Sequence, residues 1–306
     1  MKNGLRIIAL VLMLMLLMFS VPSGNIIALA EETISLSDYM VLDSSLSPIP
    51  LEDKKAPLPL AEAFTENGYE DDSLSISIEE VRAYDTTILI ARIKLKHPSQ
   101  LRTAMWGSVS DSKTGHAATL SKQVNAVFAI NGDFFKFENS GFLIRQGHTY
   151  RKNPVKGSDI LIVDGNADLH IIVDATKEKL EAFEGEIVNG FSFGPALIVD
   201  GEMVKTEFTG NIGYNRTTQR MVFAQDGPLS YVCVATEGPE NTNSIGLTID
   251  QIREFMGSLG VQQAYNLDGG SSSTMVLNNK KINALSTGKI RAVSDIIYFA
   301  TLVGQE

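Results

Sequence analysis

Two stretches of this chain share one design, and that design limits the fold more than any other feature. Each starts with a helix-like segment, runs into an apolar strand and stops at an aspartate beside glycine. In the first, residues 117–124 lead to 126–130 and then Asn131-Gly132-Asp133-Phe134-Phe135. In the second, Ile249, Ile252, Phe255, Met256 and Leu259 recur at helical spacing ahead of a strand over 262–267. That strand empties into Asn266-Leu267-Asp268-Gly269-Gly270-Ser271-Ser272-Ser273-Thr274. Thr248 and Gln251 match a capping box and Gly260 is a natural stop for the second helix. Paired glycines let backbone approach a ligand, and loops at strand ends often carry chemistry. One sheet is therefore expected to deliver Asp133 and Asp268 to nearby loops.

Elsewhere the pattern is strand-like. Apolar alternation or short apolar runs mark 74–78, 87–95, 142–145, 159–163, 169–173, 196–199, 221–224, 230–235, 274–277 and 293–301. Helical spacing is rare, so the expected class is α+β, mixed, with a predominantly β core and a few helices packed on it. Residues 31–72 mix acids with Pro48, Pro50, Pro57 and Pro59 and read as an extension or linker, leaving 73–306 as the main domain. At the start, Lys2 and Arg6 precede a thirteen-residue apolar run, Ile7 to Phe19, and Ala28-Leu29-Ala30 offers a cleavage site. This is the pattern of a signal peptide over 1–30, which predicts a secreted or extracytoplasmic protein with no stable membrane span after cleavage. An uncleaved anchor is the alternative, since Asn25-Ile26-Ile27 adds apolar length.

Removing Lys2 and Arg6 takes the formal charge from −10 to −12. Such a chain is a poor partner for nucleic acid or anionic lipid, and an anionic substrate would need a local cationic pocket. The one cysteine, Cys233, lies in an apolar strand and reads as a packed thiol. The four histidines are scattered, and no HExxH, paired CxxC, GxGxxG or Walker loop is present. No cofactor is required. Calcium accepts the oxygens of Asp, Glu and Asn, but no ligand spacing demands a metal.

Four segments together carry a resemblance: Asn131 to Phe135, Phe193-Gly194-Pro195-Ala196-Leu197, Gln219-Arg220-Met221-Val222-Phe223-Ala224, and Asn266 to Thr274. Their order and content resemble the phosphodiester glycosidase family from about Ser73 to the C-terminus. The family's Asn-Gly pair falls on Asn131 and Gly132, its arginine on Arg220, its acid-glycine pair on Glu237 and Gly238, and its signature on Asn266 to Thr274. Departures stand at Gln219, Met221, Ala224, Ser271 and Pro239, where the family commonly has proline, threonine, glycine, glycine and arginine.

The resemblance implies an exported hydrolase that cleaves a sugar–phosphate glycosidic bond in a glycan or cell-envelope polymer such as an exopolysaccharide. A guanidinium suits the phosphate, which makes Arg220 the candidate. An oxocarbenium-like sugar needs a carboxylate as nucleophile or base, with Asp268 first and Glu237 and Asp133 behind it. Asn131, Gly132, Asn266, Gly269, Gly270, Ser272, Ser273 and Thr274 are candidates for binding the substrate. Plainer roles remain open: Arg220 as a structural ion-pair arginine, Glu237 as a turn acid, Asp133 as a loop cap, and Asn131 and Asn266 as loop anchors. Two other functions also remain open, a non-catalytic carbohydrate- or phosphate-binding module and a phosphodiesterase that breaks P–O.

Overall fold

In a computed structural model of the chain, residues 46–205, 213–239, 243–284 and 291–305 are described. The expected signal peptide lies outside them. No described helix is long and apolar enough to cross a membrane.

The main sheet has nine strands. Its order across the sheet is Glu202–Met203, Ala196–Val199, Gln263–Leu267, Met221–Gly227, Ser230–Thr236, Thr86–Leu95, Leu74–Ala83, Gly68–Glu70 and Phe64–Thr65. A five-stranded sheet runs Lys280–Lys281, Met275–Leu277, Phe128–Asn131, Asp295–Phe299, Leu101–Met105. A second five-stranded sheet is built from Leu169–Ile172, Ile160–Asp164, Ile187–Phe191, Leu143–Arg145 and His148–Arg151. The class is α+β with a predominantly β core.

Strand periodicity explains the layering. Side chains alternate between faces, so the central strands must satisfy two interiors. Leu89, Ala91, Ile93, Tyr231, Cys233, Met221, Phe223 and Leu267 face one core, which they share with Phe128, Ile130, Met275 and Phe299 of the five-stranded sheet. Ile88, Ile90, Val232, Val234, Val222 and Ala264 face the other, against Ile249, Ile252 and Met256 of the helix Ile249–Ser258. Both faces being buried, these strands read as nearly continuous apolar runs. The helix begins as its sequence demands, with the Thr248 hydroxyl accepting from Gln251 and the Gln251 side chain accepting from Thr248. Cys233 is fully buried and its thiol is pushed up by burial, which suits a packing role.

The segment read as an extension is part of this body from residue 46 onward. Ile49 and Ala56 join the core around the helix Ala117–Gln123, and Leu58–Pro59 pairs with Gly304–Gln305. Phe64–Thr65 and Gly68–Glu70 extend the nine-stranded sheet. Arg102 fastens the arm. Only 1% exposed, its guanidinium donates to the carbonyls of Ile49, Pro50, Leu51 and Asp53, to Ser99 and to the Tyr298 hydroxyl. Backbone carbonyls recognised by one arginine leave no apolar pattern in the sequence, and prolines masked the docked segment as a linker.

Candidate active site

The signature segment is the crossover between two sheets, and these two sheets, not the one expected, deliver Asp268 and Asp133 respectively. It leaves the nine-stranded sheet at Leu267, makes one tight turn over Gly270–Ser272 and enters the five-stranded sheet at Met275. Asn131, at the end of the neighbouring strand, holds both ends of it. Its Nδ2 donates to the Asp268 carbonyl at 2.7 Å, and its Oδ1 accepts from the Thr274 amide at 2.9 Å. Asn266 fixes the adjoining loop, donating from Nδ2 to the Gly194 carbonyl at 2.7 Å. Gly194–Pro195 is a cis peptide.

Two glycines are there because neighbouring atoms pass too close for a side chain. A Cβ on Gly269 would stand 2.6 Å from the Gln219 carbonyl oxygen. One on Gly132 would stand 2.2 Å from Oδ1 of Asp295. Both are closer than real Cβ contacts, so a larger residue would push the backbone apart at Gly269 and displace the Asp295 carboxylate at Gly132.

Register then sets the chemistry. Met221 pairs with Leu267 in the antiparallel ladder, so Arg220 and Asp268 leave its end opposite each other. Both line one cavity of about 650 Å³. Phe134, Phe193 and Val155 supply an apolar side to it, and Arg216, Thr218, Gly269, Gly270 and Arg291 surround the polar side. Glu138 is the other acid on the described lining, and it is exposed at the rim.

Burial pushes the Asp268 carboxyl up to about 6. The Ser272 hydroxyl, with no full hydrogen bond elsewhere among the described residues, and the Arg291 charge pull the other way, while Asp133 adds to the rise. At neutral pH the group is therefore mostly ionised, yet poorly solvated. That is a suitable state for a carboxylate that attacks a carbon or takes a proton from water.

Beneath Asp268 lies a charged cluster that the sequence did not announce. Arg145 is 2% exposed and bridges two buried acids, Nη2 to Asp133 at 2.9 Å and Nε to Asp295 at 2.7 Å. The Asp133 carboxylate also accepts from the Ser192 amide at 3.2 Å. Burial pushes the Asp295 carboxyl up, opposed by Arg145 and reinforced by Asp133 and Asp268. Asp133 is thus occupied in a buried ion pair and is not on the described cavity lining, an arrangement that suits support of the site more than attack.

The remaining candidates divide in the same way. Gly269 and Gly270 reach the cavity with Asp268. Ser272, Ser273 and Thr274 are nearly fully buried and are not on the described lining. Ser273 donates to the Arg220 carbonyl at 3.2 Å, so it ties the two strand ends together. Gly132 and Asn131 sit behind Asp268. Glu237 also lies off the described lining, with Oε1 accepting from the Ala284 amide at 3.1 Å. Among the described residues no group of three or more His, Cys, Asp or Glu is placed to hold a metal.

Four charged residues at or under the cavity were not singled out from the sequence: Arg145, Asp295, Arg216 and Arg291. The available signal was weak. Arg145 ends an apolar run, Phe142-Leu143-Ile144-Arg145, and Asp295 interrupts one, Val293-Ser294-Asp295-Ile296-Ile297, where a lone charge must find a buried partner.

Sheet architecture and crossover loop are those of one family of proteins. The chain belongs to the phosphodiester glycosidase family, whose model matches residues 124–300. It is 25% identical over 186 residues to the SPbeta prophage-derived uncharacterized protein YomE of Bacillus subtilis (strain 168), covering 58% of this chain and 28% of YomE. The chain thus spans less than a third of that relative's length. Its fold is similar to the catalytic domain of zebrafish N-acetylglucosamine-1-phosphodiester alpha-N-acetylglucosaminidase, auto-inhibited by its pro-peptide. The TM-score is 0.62 at 18% identity, over 81% of this chain and 87% of that one. It is also similar to a hypothetical protein from Synechocystis, with TM-score 0.51 and 18% identity over 74% and 62% of the two chains. A putative exported protein from Burkholderia pseudomallei gives 0.50 and 14%, over 71% and 74%.

Proposed function

We propose that this protein is an exported hydrolase that cleaves the C–O bond between a sugar and the phosphate of a sugar-1-phosphodiester in a glycan or cell-envelope polymer. The observation that carries the reading is the one cavity that Asp268 shares with Arg216, Arg220 and Arg291. Family membership supports the bond type. Export rests on the basic start, apolar run and small-residue site of residues 1–30, and a fold relative is itself described as a putative exported protein.

The reaction asks little of an acid. As the anomeric C–O bond breaks, its electron pair leaves on a phosphate oxygen, and a phosphate is stable as that anion. The electron-poor sugar carbon needs a carboxylate, and Asp268 is the half-buried one on the described lining, Glu138 being exposed. It acts either by bonding to that carbon until water displaces it, or by taking the proton of the attacking water. Either way water oxygen ends on the sugar and a phosphomonoester departs. Cations around the cavity offset the phosphate charge, which the acidic surface of the protein would otherwise repel.

The test is a screen of nucleotide-sugars and sugar-phosphodiesters for released sugar, with Asp268→Asn as the control. Release by the wild type and its loss in the variant are expected. Equal turnover by both on a true substrate would remove Asp268 from the chemistry. Tight binding of such compounds without any turnover would favour a glycan-binding module instead.

A further inference from the structure

Resting on that reading of the cavity, we propose that the substrate phosphate is gripped by Arg216 and Arg291, and that Arg220 is a positioning residue that holds the Arg216 loop in place. The reason begins with the donors of Arg220. A guanidinium has five N–H groups, one on Nε and two on each terminal nitrogen. Nε of Arg220 donates to the Leu247 carbonyl at 2.9 Å. Nη2 donates twice, to Gly213 at 2.9 Å and to Arg216 at 2.8 Å. Both two-pronged edges of a guanidinium use Nη2, and here both its hydrogens are committed. Arg220 therefore presents no complete fork to a phosphate, although the residue, 2% exposed, lines the cavity.

What it does instead is bind the turn that carries Arg216. The Arg216 side chain lines the same cavity and is exposed. Burial, and after it the Arg216 charge, pushes the Arg220 guanidinium down to about 10. Two like charges close together at a half-buried opening repel, and an anion between them relieves that repulsion.

Arg291 closes the ring of charge. It also lines the cavity and is near enough to Asp268 to favour the ionised carboxylate. Its guanidinium carbon lies 5.2 Å from the Phe134 ring centre and 5.7 Å from that of Phe137. Those rings stack on each other at 4.3 Å, an aromatic shelf that limits the freedom of a long side chain without occupying its N–H donors. Arg291 and Arg216 are thus solvent-accessible cations on one cavity, one held by aromatic faces and the other by a backbone clasp. The ligand class is a tetrahedral oxyanion, either the phosphodiester of the substrate or inorganic phosphate.

The experiment titrates inorganic phosphate into wild type, Arg216→Ala, Arg291→Ala, the double variant and Arg220→Ala, with thermal midpoints alongside. The same proteins are then assayed for KM and kcat on a hydrolysed phosphodiester. Each exposed-arginine variant should weaken phosphate binding and raise KM by about tenfold or more, the scale of one charge-assisted contact, with unchanged thermal midpoint and little change in kcat. Arg220→Ala should lower the thermal midpoint as well as phosphate affinity. Wild type that fails to bind phosphate, or a double variant that binds it normally, overturns the assignment. So does an Arg220→Ala variant that loses phosphate while keeping its thermal midpoint. Wild type that binds phosphate through Arg216 and Arg291 yet releases no sugar removes the glycosidase reading and leaves this one standing.

Discussion

Arg220 and Asp268 lie opposite each other one residue beyond the paired ends of two neighbouring strands, where Met221 meets Leu267. Forty-eight positions apart in the chain, they are brought together by ladder register, the least flexible coordinate a sheet offers. A one-residue slip would turn Leu267 out of the core and Asp268 toward the opposite face. The apolar residues that stabilise the sheet therefore also aim the site.

Replacing the carboxylate should separate activity from stability. Asp268→Asn is expected to reduce kcat by about 100-fold or more, the usual loss when a positioned catalytic group is removed. It should also stabilise the protein at neutral pH. The folded state raises this carboxyl from its ordinary range to about 6, so it holds the proton more tightly than the unfolded chain does. Stability is accordingly lost as pH rises from about 4 to about 6. Thermal unfolding at pH 7.5 should show the variant above wild type, and at pH 4 the gap should close.

Turnover should follow the same titration. With an ionised Asp268 required, kcat/KM is expected to fall about tenfold per pH unit below an inflection near 6. A rate that stays flat from pH 8 down to pH 4.5 would contradict this role.

Arg145 holds Asp133 and Asp295 together, so removing it strands two buried acids. Arg145→Gln is expected to destabilise the fold by about 3–5 kcal/mol, the scale for breaking a buried ion pair. In whatever folded fraction remains, uncompensated negative charge beside Asp268 should move the acid limb of the rate profile to higher pH. Arg145→Lys should recover part of both effects. Urea denaturation and a pH–rate series check them.

Asn131→Ala tests the clamp on the crossover loop. It leaves the Asp268 carbonyl and the Thr274 amide without their partner. A loss of about 1–3 kcal/mol is expected for each buried group left unpaired, with faster amide exchange at Thr274.

Much of this arrangement was legible in the residues. Strands Thr86–Leu95, Met221–Gly227 and Ser230–Thr236 announce themselves because both faces are buried, and the Ile249–Ser258 helix carries its own cap and stop. Gly269 beside Asp268 could be read as a close backbone approach because paired glycines at a strand exit give up side-chain packing for it. Ile187–Phe191 was not legible, since Asn189 and Gly190 break its apolar pattern. The Asn189 carboxamide accepts from Thr103 and the Gln146 amide, contacts that sequence spacing does not encode. The partner of Arg145 was hidden for the same reason: Asp295 is 150 residues away, and only the folded sheets make them neighbours.

The central claim concerns which bond breaks, and oxygen labelling addresses it most directly. A sugar-1-phosphodiester is hydrolysed in heavy-oxygen water and the products are weighed by mass spectrometry. With Asp268 directing attack to the sugar carbon, the label should appear in the released sugar and not in the phosphomonoester. Label in the phosphate would mean P–O cleavage and would contradict the account.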